Sequence, residues 1–396
     1  METYTAEQKM EQWMRAMRFS HNGECDIDGL LASEYGEEMK KLSLLRFRFE
    51  EDPMGAECLA YYRELGVRKE MFETEQFYTR WALFTPLDMR EGGKYPVVFW
   101  NHGGGNPIET DEFSTHLTQM AGAEGFIGCM LQNTNWENLE RVLDIILEKY
   151  PADPERVYIM GYSQGGQAAH SALLRIPGRL AAVSACGCDA FPLWDNMDVR
   201  FTLEEVDRLR DAFVPVMQIA GRYEFLNLLP HNLWRDRKLW GGPPTPLNLY
   251  MHPDHDLAAD PTNPVGKRAD PPMPPPNTNG DWWKVAKLNL RLASLGCAPV
   301  DPARCIAYQD TPEDALHHVL GFYGDQEEIR SYHGIRHFIA DKRNADGVTA
   351  YRYVAVDKNP HWPLLMMAEL SWEFFKSYRR DAGTGRRIMV DPYQNN

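Results

Sequence analysis

One hexapeptide constrains this chain more than any other feature. Gly161-Tyr162-Ser163-Gln164-Gly165-Gly166 stands between a short apolar run at 157–160 and a helical pattern at 167–175. A G-x-S-x-G turn that joins a buried strand directly to a helix is so tight that its serine adopts a strained backbone, and a side chain at Gly161 or Gly165 would collide with the neighbouring strand or helix. The Ser163 hydroxyl is thereby lifted clear of the sheet, where a nucleophile belongs. Alone, such a pentapeptide is common in loops and carries little weight. Its strand-turn-helix setting is what demands a layered, parallel α/β fold.

The surrounding chain has the rhythm of such a fold. Strands are expected at 96–100, 126–131, 157–160, 180–185 and 214–220, with helices near 112–123, at 138–150 and at 167–175. In the second helix Leu139, Val142, Leu143, Ile146 and Leu147 recur at helical spacing, and Pro151 stops it. The rhythm then breaks. Residues 226–346 hold a proline cluster (Pro271, Pro272, Pro274, Pro275, Pro276) and little strand-like alternation, which reads as an insertion or lid. The sheet pattern resumes at 350–356, and 364–380 supplies a closing amphipathic helix with Leu365, Leu370, Trp372, Phe374 and Phe375. The expected organisation is a mostly helical N-terminal extension at 1–70, a core formed by 71–225 and 347–384, the 226–346 insertion, and a tail at 385–396.

Composition narrows the function classes. With 396 residues and 43% hydrophobic content the chain can bury a sizeable core, and a formal net charge of -15 argues against a phosphate backbone as partner. The first eighteen residues carry charge throughout, so neither a secretory signal nor a membrane span is expected, and a cytoplasmic location follows. Seven cysteines without paired C-x-x-C spacing suit reduced thiols. His252, Asp254, His255 and Asp256 crowd one loop and His317 adjoins His318. Neither group has ligand spacing on a regular element, so no metal is expected.

An acyl-transfer site needs donors for the oxyanion, a base and an acid. The loop His102-Gly103-Gly104-Gly105 follows the 96–100 strand; its backbone N–H groups can approach a developing negative charge, which assigns one donor to Gly103 or Gly104 and the other to Gln164, directly after the nucleophile. Chains with this turn run in the order serine, acid, histidine, with the histidine after the last strand. His361, in Asn359-Pro360-His361-Trp362-Pro363, sits there, whereas His317, His318, His333 and His337 precede that strand. Glu224, just past the 214–220 strand, is the expected acid, and Asp189, after the preceding strand, is the alternative. Ser163 attack assisted by His361 requires no cofactor.

Four stretches carry a family likeness: KYPVVFWNHGGGNP at 94–107, YPADPERVYIMGYSQGGQAA at 150–169, LAAVSACG at 180–187 and AYRYVAVDKNPHWP at 350–363. In them the chain resembles the polyhydroxybutyrate depolymerase and feruloyl esterase (esterase D-like) branch of the α/β-hydrolases. The resemblance implies an α/β-hydrolase fold, a mostly parallel central sheet flanked by helices, here with an N-terminal extension and a large insertion before the histidine. It also implies a serine carboxylic-ester hydrolase acting on feruloyl, acetyl-sugar or hydroxyalkanoate esters, with a small-molecule or oligosaccharide ester as its partner. Relatives commonly carry Asp where Glu224 stands and a glycine-rich approach where Lys358-Asn359-Pro360 stands. Two other readings are a serine peptidase of prolyl-oligopeptidase type, which lacks support from any propeller-like repeat, and a binding protein that kept the fold without turnover. Trp234, Trp240, Tyr250, Trp282 and Trp283 are candidates for lining an acyl or sugar pocket.

Overall fold

The structure is a computed structural model and describes residues 4–19, 25–73, 79–188, 203–223, 288–289, 291–301, 304, 311–312, 314–362, 365–381 and 387–389. Its sheet contains β1 (Val67–Phe72), β2 (Trp81–Pro86), β3 (Tyr95–Asn101), β4 (Ile127–Leu131), β5 (Ala152–Tyr162), β6 (Ala182–Cys186), β7 (Val216–Gly221), β8 (Gln326–Tyr332), β9 (Ile335–Arg343) and β10 (Thr349–Val356). They lie in the order β1-β2-β4-β3-β5-β6-β7-β10-β9-β8. From β4 through β3, β5, β6 and β7 to β10 every pairing is parallel. At one edge β2 and β1 attach antiparallel, and at the other so do β9 and β8.

The parallel strands are apolar runs because both of their faces are covered. Val98, Trp100, Met160 and Ile219 point to one core; Val97, Phe99, Ile159 and Val216 point to the other. The first core is closed by α2 (Ile27–Leu31), α3 (Glu34–Phe49), α4 (Ala56–Glu64), α6 (Leu117–Glu124) and α11 (Met367–Phe375). The second is closed by α7 (Trp136–Lys149) and α8 (Gln164–Arg175), with α9 (Leu203–Ala212) and α10 (Leu316–Leu320) adding Leu209, Val319 and Leu320. On α7 the buried set Leu139, Val142, Leu143 and Ile146 is the stripe expected from sequence, and Asn135 caps its start by accepting the Asn138 N–H. Ahead of α2, α1 (Ala6–Phe19) lays Trp13 and Met14 against the first core.

Several elements differ from the sequence expectation. The helix expected near 112–123 is α6, which starts only at Leu117, and the chain before it forms a separate short helix, α5 (Ile108–Glu112), whose Asp111 and Glu112 are buried. Glu112 meets the Lys69 ammonium at 2.6 Å, both side chains almost fully buried. The closing helix stops at Phe375, because the chain must then bring Tyr378 beneath the sheet, where its carbonyl accepts the Tyr158 hydroxyl at 2.6 Å. It continues as β11 (Tyr378–Arg380), paired with β12 (Arg387–Met389). Within 226–346, β8 and β9 extend the central sheet and are not a separate structure. No described helix is long and apolar enough to cross a membrane.

Candidate active site

The turn after β5 places Ser163 at φ 53°, ψ -115°, a left-handed conformation that a side chain adopts only under strain. Its amide donates to the Cys186 carbonyl at the end of β6 at 2.8 Å, which pins the turn to the neighbouring strand. The glycines on either side are required by contact. A Cβ on Gly161 would stand 2.2 Å from the Gly165 carbonyl oxygen, and one on Gly165 would stand 2.0 Å from that of Asn101. Backbone therefore approaches backbone where β3, β5 and α8 converge, and Ser163 is left half-buried at the mouth.

His361 arrives from the other half of the sheet. β10 runs parallel beside β7, so the segments leaving both strands emerge together, with the Arg222 amide donating to Val356 at 2.9 Å and the Tyr223 amide to Asn359 at 3.0 Å. The loop carrying the histidine is fixed at several further points. Asp357 receives Arg336 at 2.7 Å and Arg222 at 3.1 Å; burial raises its pKa, but the two guanidinium groups outweigh burial and hold it below the usual carboxylate value. Cys25, from the N-terminal segment, donates its thiol to the Lys358 carbonyl at 2.9 Å. The result is His361 Nε2 at 3.0 Å from Ser163 Oγ, with the imidazole tilted against the Tyr162 ring at a centroid distance of 5.0 Å.

The glycine loop borders the same cavity as Ser163. His102 is buried with its two ring nitrogens facing the Gly103 and Gln132 carbonyls at 2.8 and 3.0 Å. Gly103, one of the two donors expected here, spends its N–H on the Asp111 carboxylate at 2.9 Å. Gly104 is the exposed one, and a Cβ on it would lie 2.9 Å from the Gln164 side-chain oxygen, so the loop and the start of α8 are in contact. Gln164 opens α8, where amides have no acceptor within the helix. Of the sequence-predicted residues, Ser163, His361, Gly103, Gly104 and Gln164 thus share one site. Glu224 and Asp189 lie outside the described residues, as do Trp234, Trp240, Tyr250, Trp282 and Trp283 and the His252–His255 loop.

A cavity of ≈ 410 Å³ opens over Ser163 and His361, the size of a small-molecule site. Its far wall comes from α1 and α3 through Trp13, Met39, Ser43 and Arg46, none of which carried a catalytic signal in the sequence. Asp111 also went unnoticed there; only its distance of eight residues from Gly103 hinted at a loop closing on itself. A second cavity of ≈ 480 Å³, lined by Lys94, Tyr95, Gly125 and Arg156, lies at the opposite strand ends and includes neither Ser163 nor His361. Among the described residues no group of three or more His, Cys, Asp or Glu is placed to hold a metal. His317 instead meets Glu327 at 2.7 Å, and His318 the Thr311 carbonyl at 3.1 Å.

The parallel sheet between two helical layers, the strained serine between β5 and α8, and the histidine delivered after β10 decide the fold. It is the α/β-hydrolase fold. No protein-family model matches the chain. A curated relative is similar to it over 105 residues at 25% identity, a bifunctional acetylxylan esterase/xylanase of Neocallimastix patriciarum; the match spans 23% of this chain and 15% of that protein's length. Solved structures similar to it include the feruloyl esterase module of Clostridium thermocellum, at 14% identity, covering 40% of this chain and 69% of that one with a TM-score of 0.33. An S-formylglutathione hydrolase of Agrobacterium tumefaciens is similar at 17% identity, covering 45% and 84% with a TM-score of 0.32.

Proposed function

We propose that this chain is a serine carboxylic-ester hydrolase working through an acyl-enzyme. The observation that carries this reading is His361 Nε2 at 3.0 Å from the hydroxyl of a serine held at φ 53°. A hydroxyl is a weak nucleophile until a base within hydrogen-bond reach takes its proton, and this geometry supplies one. As Ser163 Oγ attacks the ester carbonyl, His361 Nε2 accepts the proton and then returns it to the departing alcohol. The oxyanion is held by the Gly104 and Gln164 amides, since the Gly103 amide is already committed to Asp111. A water molecule, deprotonated by the same nitrogen, attacks the acyl-enzyme and frees Ser163.

Glu224 is our choice for the acid that orients the imidazole. It follows Tyr223, whose amide is fixed to Asn359, two residues before His361. Feruloyl, acetyl-sugar and hydroxyalkanoate esters remain the candidate substrates, with the N-terminal helices and the 226–346 segment as the surfaces that choose among them. Six described cysteines are buried free thiols, which fits a reducing compartment such as the cytoplasm.

The test is steady-state hydrolysis of aryl acetates, feruloyl esters, acetylated sugars and peptide amides. Ester turnover is expected, with His361→Ala lowering kcat by about 10³-fold or more. Folded protein that turns over none of these esters, or that prefers the amides, would overturn the reading.

A further inference from the structure

The wall that α3 contributes to the cavity carries Arg46, whose guanidinium is ion-paired with Glu50 at 3.8 Å and lies 4.7 Å from the Phe47 ring centre, with an Nε that makes no hydrogen bond. Met39, Ser43 and Arg46 recur at i, i+4 and i+7, so one stripe of α3 faces the cavity. The Arg46 side chain keeps 20% of its exposure, and its Nε is buried without a hydrogen-bond partner. Its ion-pair neighbour, Glu50, places Oε2 3.8 Å from that nitrogen, beyond hydrogen-bond reach, while Glu50 Oε1 accepts from the Lys9 ammonium at 2.8 Å.

The second acid facing Arg46 is Asp111, which is almost fully buried and accepts the Gly103 amide on Oδ2, its Oδ1 making no hydrogen bond. Burial is the main influence on Asp111 and raises its pKa in spite of His102, the Gly103 amide and Arg46. Burial likewise weighs most on Arg46, lowering its pKa, while Glu50 and Asp111 act in the opposite sense. A guanidinium presents five donors in a planar fork that matches a carboxylate. Here it is partly stripped of water in the same cavity as Ser163, among apolar Trp13, Met39 and Phe113 and the small polar Ser43, Thr110 and Ser114. Partial dehydration of a cation whose ion pair lacks hydrogen-bond contact is costly, and a carboxylate seated in its fork would offset that cost.

We propose that Arg46 is the specificity-determining residue of this site and that the substrate is an ester bearing a carboxylate, gripped by Arg46 while its ester carbonyl lies at Ser163. This rests on the ester-hydrolase reading above and adds the substrate class to it. The product would be a free carboxylic acid and an alcohol, one of them still carrying the recognised anion.

The experiment compares kcat/KM within two near-isosteric pairs. Mono-4-nitrophenyl glutarate against 4-nitrophenyl pentanoate places the charge on the acyl side; 4-acetoxybenzoate against 4-acetoxybenzamide places it on the alcohol side. In the native protein one charged ester should exceed its neutral twin by about tenfold or more, the scale of a charge-assisted contact. Arg46→Met and Arg46→Gln should erase that ratio, and Arg46→Lys should keep part of it, chiefly through KM. Equal or reversed preference in both pairs, or a ratio that survives in both Arg46→Met and Arg46→Gln at an unchanged thermal midpoint, overturns this proposal while ester hydrolysis stands. Native protein that turns over feruloyl or acetyl-sugar esters but none of the four overturns this proposal alone, and folded native protein that turns over no ester overturns both.

Discussion

At the scale of single residues, the site is set by where side chains are forbidden. Gly165 faces the Asn101 carbonyl so closely that an added methyl would sit at 2.0 Å from it, whereas Gly105, at φ 75°, has nothing within 4 Å of a Cβ. The two positions separate steric from conformational need. Gly105→Ala should cost about 1 kcal/mol, the price of a left-handed backbone alone. Gly165→Ala should cost about 3 kcal/mol or more, because backbone must move against backbone. Urea unfolding of both variants measures the difference, and equal costs would contradict the contact geometry. This part of the site was legible in the sequence, since G-x-S-x-G encodes its own clearances. Gly103 was not separable from Gly104 there, because the acceptor that takes its amide, Asp111, is brought to it only by the folding of α5.

At the scale of elements, the parallel strands announced themselves as apolar runs, and the edges of the sheet did not. β8, Gln326–Tyr332, is mostly exposed and carries Glu327, Glu328 and Arg330, so its sequence looks like a polar loop; charge of this kind keeps an edge strand from pairing with other chains. β1 was obscured for a different reason, the buried Lys69, which reads as solvated until Glu112 is seen opposite it. The N-terminal helices, expected as an extension at 1–70, are part of the site. The Tyr35 hydroxyl of α3 accepts the Leu365 amide at 2.8 Å, and Cys25 holds the Lys358 carbonyl, so both flanks of the histidine segment are tied to this region. Tyr35→Phe should leave a buried amide unpaired and cost about 1–3 kcal/mol in a thermal or urea melt. A variant as stable as the native chain would show that this tether is dispensable.

At the scale of the whole molecule, two buried imidazoles give stability a definite pH dependence. His170 lies on α8 between Arg291 and Gln218, and burial followed by the Arg291 charge lowers its pKa to about 3. His337 lies on β9 with an unpartnered Nε2, and burial lowers its pKa to about 4. In the unfolded chain both titrate near the ordinary histidine value of about 6.5. Between about pH 6.5 and 4 the unfolded state therefore binds more protons, and stability falls as pH falls. For His337 alone the full effect is on the order of 3 kcal/mol. His116 works in another window. Burial depresses its pKa, but Glu369 and Glu38 prevail and raise it. Its contribution is complete below about pH 6.5 and is lost as pH rises above that, so it does not cancel the acid slope. Urea midpoints from pH 7.5 to 4.5 should drop, and His337→Phe should flatten the lower part of the curve. A flat native profile would mean that these histidines are not buried neutral.

These scales meet at Ser163, where a turn read from six letters, a loop tied to the N-terminal helices and a sheet in fixed order produce a serine facing an imidazole. Fluorophosphonate labelling of the intact protein, with the modified peptide mapped by mass spectrometry, addresses that arrangement directly. The expected result is a single adduct on Ser163 that disappears in Ser163→Ala and is strongly slowed in His361→Ala. A folded native protein that resists labelling, or a Ser163→Ala variant that labels as well as the native chain, would contradict it.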